Sequence, residues 1–470
     1  MGRGRVGADA PLRVAAGVAR MRIAARGKPE LPIPGRMVPP PAMSIPAVRG
    51  FHDALPEAAR VLGRIERIAA QVLERHGFSE VRLPIVERTE LFARSIGETT
   101  DIVEKEMYTF PDRDGTLLTL RPEGTAPLAR AFVEHHLDQR DQVSRLYYVG
   151  PMFRHERPQK GRLRQFHQVG AELIGREDPL ADAETLVCLV DVLEAVGVPE
   201  PRLLVGSLGD EACRPAYRDE LRAFGEARSE RLCGNCRRRL DKNPLRILDC
   251  KEEGCREATA DAPALVDRLC AACGEHFAQV RALLDAQGIA WELDRRLVRG
   301  LDYYVRTTFE VTAAGLGAQG AIGAGGRYDG LLAQIGGPAT SGIGFALGVE
   351  RLRIALEAAD PGLEQRLSAE ASPTVFVMPI GAAAEVDALR IARRLRAEGV
   401  RVELGGGRSV KSQMRRADKL GAARVLLIGD EELAARRATL RDMREKADQR
   451  LAVDMDLEGA ALVAAVGEAR

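Results

Sequence analysis

The chain has 470 residues, 45% of them hydrophobic, which suits two or three globular domains better than one. Lys and Arg (69) nearly balance Asp and Glu (68), so a polyanionic partner would be held by local basic patches and not by a global field. No apolar run approaches the roughly 20 residues that span a bilayer, and nothing near Met1 resembles a secretory signal, so the expectation is a soluble, cytoplasmic protein whose eight cysteines are free thiols or metal ligands and not a disulfide framework.

Residues 1–42 stand apart, with eight Lys or Arg against two acids and then the proline-rich run Pro32 to Pro41. They read as a disordered extension. An organellar transit peptide has a similar composition, but a flexible tail, or translation that begins at Met43, is the preferred reading. From Leu55 the apolar residues Leu62, Ile65, Ile68 and Val72 recur at helical spacing, with Pro56 in the first turn and Gly77 at the end. Val81, Leu83 and Ile85 alternate as a short strand, which Pro84 confines to an edge or to a pairing across a subunit boundary.

Leu117 to Leu120 predict a strand that runs into Arg121-Pro-Glu-Gly-Thr125 and a helix from Ala126 to His136. Glu123 and Thr125 there could hold a cationic group. Thr125 could equally be a helix cap ahead of Pro127. Arg145 to Val149 then lead into a predicted hairpin whose long loop carries Arg154, Arg157, Lys160, Arg162 and Arg164 against the single acid Glu156. A charge run is by default a solvated face, but guanidinium groups at a strand mouth can also grip phosphate oxygens in pairs. On the return strand Phe166, Gln168, Gly170 and Glu172 alternate, so Gln168 and Glu172 are expected on the face that Arg154 shares.

The segment from Gly150 to Glu172 resembles motif 2 of the class II aminoacyl-tRNA synthetases, in the form found in the histidyl-tRNA synthetases. Leu297-Val-Arg-Gly-Leu-Asp-Tyr-Tyr304 resembles the first histidine-specific motif of that family, Gly323-Ala-Gly-Gly-Arg-Tyr-Asp-Gly330 the second, and Gly342-Ile-Gly-Phe-Ala-Leu-Gly-Val-Glu-Arg351 motif 3. Read on its own, Gly323 to Gly330 is not a dinucleotide fingerprint and suggests close backbone approach to a ligand, while Phe345, Leu347 and Val349 could be plain core. The resemblance covers Met43 to Val466.

It implies an α+β chain: an antiparallel six-stranded catalytic domain over residues 43–370, a helical insertion at about 206–287, and a terminal α/β anticodon-binding domain at 373–470. It also implies activation of L-histidine with ATP, accompanied by Mg2+, transfer to tRNA(His), and a homodimer formed through the first motif. By the same resemblance Arg154 and Arg299 are the catalytic cations. Glu156, Arg162 and Arg351 join Arg154 on ATP. Glu123, Gly124, Thr125 and Gln168 surround the histidine amino group, Arg154 and Arg299 reach the substrate's carboxylate, and Tyr303 and Tyr304 line the ring pocket. Selection of an imidazole needs matched buried polar groups, for which Glu172 and Tyr304 are the candidates.

Leu186 to Gln287 is mostly helical by its apolar period and holds Cys233, Cys236, Cys250, Cys255, Cys270 and Cys273. Two Cys-x-x-Cys pairs and two single thiols could make a structural zinc site; unliganded, reduced thiols are the default, and activation does not call for catalytic zinc. From Thr374, strands at Val375–Val377, Val400–Leu404 and Val425–Ile428 alternate with helices, which predicts a small parallel α/β domain. Arg408, Lys411, Arg415, Arg416 and Lys419 put a cationic stripe on its middle helix. Two rivals remain. A synthetase-like regulatory subunit of histidine biosynthesis usually lacks the terminal domain and erodes Arg154, Arg299 and Arg351. A non-enzymatic nucleic-acid-binding module would have no use for the histidine motifs.

Overall fold

The computed structural model describes residues 45–97, 100, 102–298, 300–316, 320–443 and 450–467, so the extension over residues 1–42 lies outside the described residues. An eight-stranded sheet dominates. In spatial order its strands are Ser79–Glu80, Ser144–Phe153, Gln165–Ile174, Gly342–Gly348, Ala321–Arg327, Val305–Thr312, Arg202–Ser207 and Glu292–Leu293. The six inner strands are antiparallel throughout, and the two-residue strands at either edge pair in parallel.

Alternation along these strands sorts the sheet into two faces. Val169, Ala171 and Leu173, with Ile343, Phe345, Leu347, Phe309 and Val311, are buried under helices Pro56–Arg75, Pro179–Val196, Ala271–Ala286 and Val349–Ala359. The opposite face keeps Phe166, Gln168, Ala346 and Gly348 along an open cavity. One covered face and one working face follow directly from the strand period.

The buried Arg327 ties this core together. Its Nε donates to Asp182 Oδ1 at 2.9 Å, and His276 Nε2 meets Asp182 Oδ2 at 2.7 Å, which joins the sheet to helices Pro179–Val196 and Ala271–Ala286. Burial alone would raise Asp182, but the bonds from His276 and Arg327 outweigh it and hold the carboxyl below its usual range.

Three predicted elements change. Val81, Leu83 and Ile85 form no strand of their own; the chain pairs at Ser79–Glu80, crosses Pro84, and pairs again at Val86–Arg88 in a separate three-stranded sheet with Tyr108–Pro111 and Leu117–Leu120. Within the mostly helical Leu186 to Gln287, Arg202–Ser207 is a strand of the main sheet, paired with Val305–Thr312. The terminal sheet is mixed and not parallel: Val402–Leu404, Val375–Pro379 and Arg424–Ile428 run parallel, and Arg437–Asp442 and Arg450–Asp454 add two antiparallel strands. Helix Val410–Lys419 covers one side of it, capped by Ser409, whose Oγ accepts from Ser412 N at 3.4 Å. Arg408, Lys411, Arg415, Arg416 and Lys419 are all exposed.

Candidate active site

A cavity of 270 Å³ opens on the working face of the main sheet. Leu117–Leu120 and the hairpin strands Ser144–Phe153 and Gln165–Ile174 carry the expected residues toward it. Glu123, Thr125, Arg154, Glu156, Arg162, Gln168, Tyr303, Tyr304 and Arg351 all line it. Arg299 lies outside the described residues.

The cationic end is held by backbone carbonyls. Arg154 Nε donates to Pro122 O at 2.8 Å, with its guanidinium 5.3 Å from the centre of the Phe166 ring. Arg351 donates from Nε to Gly161 O at 2.9 Å and from Nη1 to Ala321 O at 2.6 Å. Arg162 faces Glu156 at 3.3 Å. Burial, and then the neighbouring Arg162 and Arg154 guanidiniums, press Arg351 below its usual pKa. Cations crowded to that degree are a site waiting for anionic charge. Glu310, on the neighbouring strand, adds a second carboxylate to the lining beside Glu156.

The opposite end is carboxylate and phenol. Glu123 accepts from the backbone N–H of Thr125 at 2.7 Å and of Ala126 at 2.9 Å, so Glu123 is the side chain that satisfies the first turn of helix Thr125–Glu134. The helix-cap reading of Thr125 is thereby corrected. Its hydroxyl instead donates to Glu172 Oε1 at 2.6 Å, and Tyr328 OH donates to Glu172 Oε2 at 2.7 Å. Burial lifts Glu123 above the usual carboxylate range despite its two N–H bonds, and lifts Glu172 to about 8 despite its two hydroxyl bonds.

Glu172 is therefore on the expected face but beneath the cavity wall, not in it. Its carboxylate lies over Gly344, the residue paired with it across the strands. Gly124 is likewise withdrawn: a Cβ there would fall inside the Tyr148 ring, and so would one at Gly170, the cross-strand partner of Tyr148. The two glycines make a slot for that ring. The glycines of the second histidine-specific motif answer partly to packing as well. Gly323 and Ala324 line the cavity, whereas side chains at Gly325 and Gly326 would strike Phe309 and Tyr304.

The rings of Tyr303 and Tyr304 lie 4.6 Å apart, tilted by 55°, and Tyr303 meets Tyr328 edge-on at 6.0 Å. The hydroxyls of Tyr148 and Tyr303 and Oε1 of Gln168 are buried without a hydrogen-bond partner among the described residues. Unpaired buried polar atoms beside a cavity are the groups that a polar ligand would satisfy. Tyr148, Tyr328 and Glu310 had not been singled out in the sequence. Only Tyr328 carried a signal, through its place within the Gly323–Gly330 segment.

The cysteines separate into two groups in the helical segment. Cys233, Cys236, Cys250 and Cys255 have sulfurs within 4.8 Å of one another, and Asp210, Cys213, Cys270 and Cys273 form a second set of four ligand atoms just as close. The six-thiol reading of a single site is corrected: the two Cys-x-x-Cys pairs do not meet, and Cys213 and Asp210 complete the second set. All eight cysteines are free.

The cationic end of the cavity is built from guanidiniums above an antiparallel floor, the design of a class II aminoacyl-tRNA synthetase. Residues 50–352 match the histidyl-tRNA synthetase family model, and residues 374–459 match that of the anticodon binding domain. The chain belongs to the histidyl-tRNA synthetase family. It is 52% identical over 425 residues to a histidine–tRNA ligase of Trichlorobacter lovleyi, covering 90% of this chain and 99% of that one. A solved apo histidyl-tRNA synthetase of S. aureus is 35% identical with a TM-score of 0.73, covering 88% of this chain and 98% of that one. A solved Bacillus halodurans chain, described as an ATP phosphoribosyltransferase regulatory subunit/histidyl-tRNA synthetase, shares the fold at 21% identity and a TM-score of 0.60, over 83% of this chain and 99% of that one. No helix among the described residues is long and apolar enough to cross a membrane.

Proposed function

We propose that this cavity activates L-histidine with ATP and then transfers the histidyl group to tRNA(His). The observation that carries the reading is the meeting, in one cavity, of Arg154, Arg162 and Arg351 at one end with Glu123, Thr125 and the Tyr303–Tyr304 wall at the other. A regulatory paralogue would have no need of that cationic end.

In the first step a histidine carboxylate oxygen bonds to the α-phosphorus of ATP, the bond to the bridging oxygen breaks, and pyrophosphate leaves with its electron pair. In the second, a ribose hydroxyl of the terminal adenosine of tRNA attacks the carbonyl carbon and AMP leaves. No side-chain nucleophile is required. Alignment of the reactants and cations placed around the phosphorus supply the acceleration. Arg154 neutralises the α-phosphate, and by the family resemblance Arg299 is the second cation and the contact for the substrate carboxylate. Glu156, Arg162 and Arg351 hold the nucleotide. Mg2+ would supply charge neutralisation on the phosphates, and Glu156 and Glu310 are among the carboxylates lining the cavity that would hold it.

Glu123 takes the ammonium group of histidine, Gln168 joins it there, and Tyr303 and Tyr304 line the ring. Glu172 acts through Thr125 as a positioning residue. Residues 43–370 form the catalytic domain with a helical insertion at about 206–287, and residues 373–470 read the anticodon, with the exposed cations of helix Val410–Lys419 on tRNA phosphates. A cytoplasmic homodimer completes the reading. It is supported by the apolar surface of the three-stranded sheet, where Ile85, Val86, Phe110 and Leu117 are exposed.

The test is exchange of labelled pyrophosphate into ATP without tRNA, in wild type and Arg299→Ala. Exchange that requires histidine, ignores other amino acids and collapses in the variant is the expected result. Folded wild-type protein that exchanges nothing defeats the ligase reading.

A further inference from the structure

We infer that the helical insertion holds two structural zinc ions, one on Cys233, Cys236, Cys250 and Cys255 and one on Asp210, Cys213, Cys270 and Cys273, and that the two sites together fix the Tyr303–Tyr304 wall. This goes beyond the ligase reading, and only its second part, on the wall, rests on that reading.

The geometry suits a tetrahedral ion. Four sulfurs at about 2.3 Å from zinc lie about 3.8 Å apart. Within each set the ligand atoms lie inside 4.8 Å of one another, with Cys233 and Cys250 sulfurs at 4.0 Å and Cys270 Sγ 4.0 Å from Asp210 Oδ1. Backbone N–H groups already point at the sulfurs: Cys233 N donates to Cys255 Sγ at 3.0 Å, Cys236 N to Cys233 Sγ at 3.4 Å, and Cys270 N to Cys213 Sγ at 3.1 Å. Such bonds stabilise thiolates and orient them as outer-shell support does at metal sites.

Disulfides explain the arrangement poorly. Three thiols cannot all pair, and a carboxylate has no part in a disulfide, yet Asp210 completes the second set. Sulfur-rich sets with one oxygen favour Zn2+ over harder cations such as Mg2+ or Ca2+. Arg306 Nη2, 3.8 Å from Asp210 Oδ2, offsets the anionic charge of the second site.

Each site brackets a segment that bonds to the stretch of chain carrying Tyr303 and Tyr304. Asn243 and Arg246 lie between Cys236 and Cys250, and both donate to Asp302 Oδ1, at 3.3 and 2.8 Å, next to Tyr303. Arg214 follows Cys213 and donates to Leu208 O at 3.1 Å and to the Tyr304 carbonyl. The insertion's Tyr217, Leu221, Leu240, Ile247 and Leu265 are buried in one cluster with Tyr303 and Tyr304, so a metal that fixes the small helices at each end also fixes what packs against the two tyrosines.

The test weighs metal in the full-length chain, purified reduced and without chelator, by inductively coupled plasma mass spectrometry. Two zinc ions per chain are expected, one after Cys236→Ser, and two again after Cys236→His, which restores a ligand. Asp210→Ala keeps three thiols and should surrender one zinc to EDTA roughly 10–100-fold more readily. A folded chain without zinc and with freely titrating thiols, iron in place of zinc, or a Cys236→Ser chain that retains both ions each overturns the assignment. Metal content needs no substrate, so it stands apart from the ligase test. In the exchange assay, Asp210→Ala should raise KM for histidine and leave KM for ATP within about twofold; equal changes in both refute the link to the tyrosine wall.

Discussion

Tyr328→Phe removes one of the two hydroxyls that Glu172 accepts from and changes little else, since the ring stays edge-on to Tyr303. Glu172 is an acid whose folded pKa, about 8, lies above its ordinary value because it is buried. Between that ordinary range and about 8 the folded chain keeps a proton that the unfolded chain has released. Stability therefore falls as pH rises through this window and levels off above it. A hydrogen bond to a charged group is worth roughly 1.5–3 kcal/mol and to a neutral one roughly 0.5–1.5. The variant should lose about 1 kcal/mol at pH 6, where Glu172 is protonated in both proteins, and about 2 kcal/mol at pH 9, where only the wild-type carboxylate has both donors. The difference of about 1 kcal/mol corresponds to a further rise in the folded pKa of Glu172. Trp291 is the single tryptophan and packs against the core of the main sheet, so its fluorescence in urea follows the relevant transition. An equal loss at both pH values would refute the charge argument. A smaller loss at pH 9 would reverse its sign.

Arg351→Ala removes a cation and two carbonyl contacts from the nucleotide end. Its kcat/KM for ATP in pyrophosphate exchange should fall about 100- to 1000-fold, with KM for histidine nearly unchanged. Gly170→Ala drives a methyl group into the Tyr148 ring and should cost about 1–3 kcal/mol, read from Trp291 in urea. Lys411→Ala and Arg415→Ala should each flatten the salt dependence of tRNA binding by about one unit of slope, measured by filter binding; an unchanged slope removes that helix from the tRNA surface.

What the sequence disclosed, and what it withheld, divides along physical lines. The hairpin bearing Arg154 was legible because a strand period of two on each side of a basic, glycine-punctuated loop has few other solutions. Helix Pro56–Arg75 was legible from its apolar spacing. Strand Arg202–Ser207 was hidden because a short buried run between two helices carries no period of its own. Glu172 was placed on the correct face, but alternation says nothing about depth, and the wall above it is made by Thr125, distant in sequence. The slot for Tyr148 depends on two glycines that meet only after the hairpin docks on helix Thr125–Glu134. The partition of the cysteines failed for the same reason: adjacency in sequence joined Cys270 and Cys273 to Cys233 and Cys236, whereas folding brings Cys213 and Asp210 to them.

The Arg246–Asp302 pair offers a sharper way to ask whether the insertion governs amino-acid binding. Arg246 is buried, 7% exposed, and its Nη2 lies 2.8 Å from Asp302, whose own N–H donates to Ile96 O at 3.1 Å. A pair this sheltered leaves an uncompensated charge if one member is lost, which costs about 3–5 kcal/mol when fully buried and less here because Asp302 is partly open. The strain falls on Tyr303, one residue further along, and not on Arg154, which follows strand Ser144–Phe153, or on Arg351, which sits on helix Val349–Ala359. Arg246→Ala should therefore raise KM for histidine more than KM for ATP, and Asp302→Asn should do the same. The double variant should be less impaired than the sum of the two, since it removes both charges together. If the two losses simply add, the pair does not act as a unit and the insertion reaches the cavity by another path.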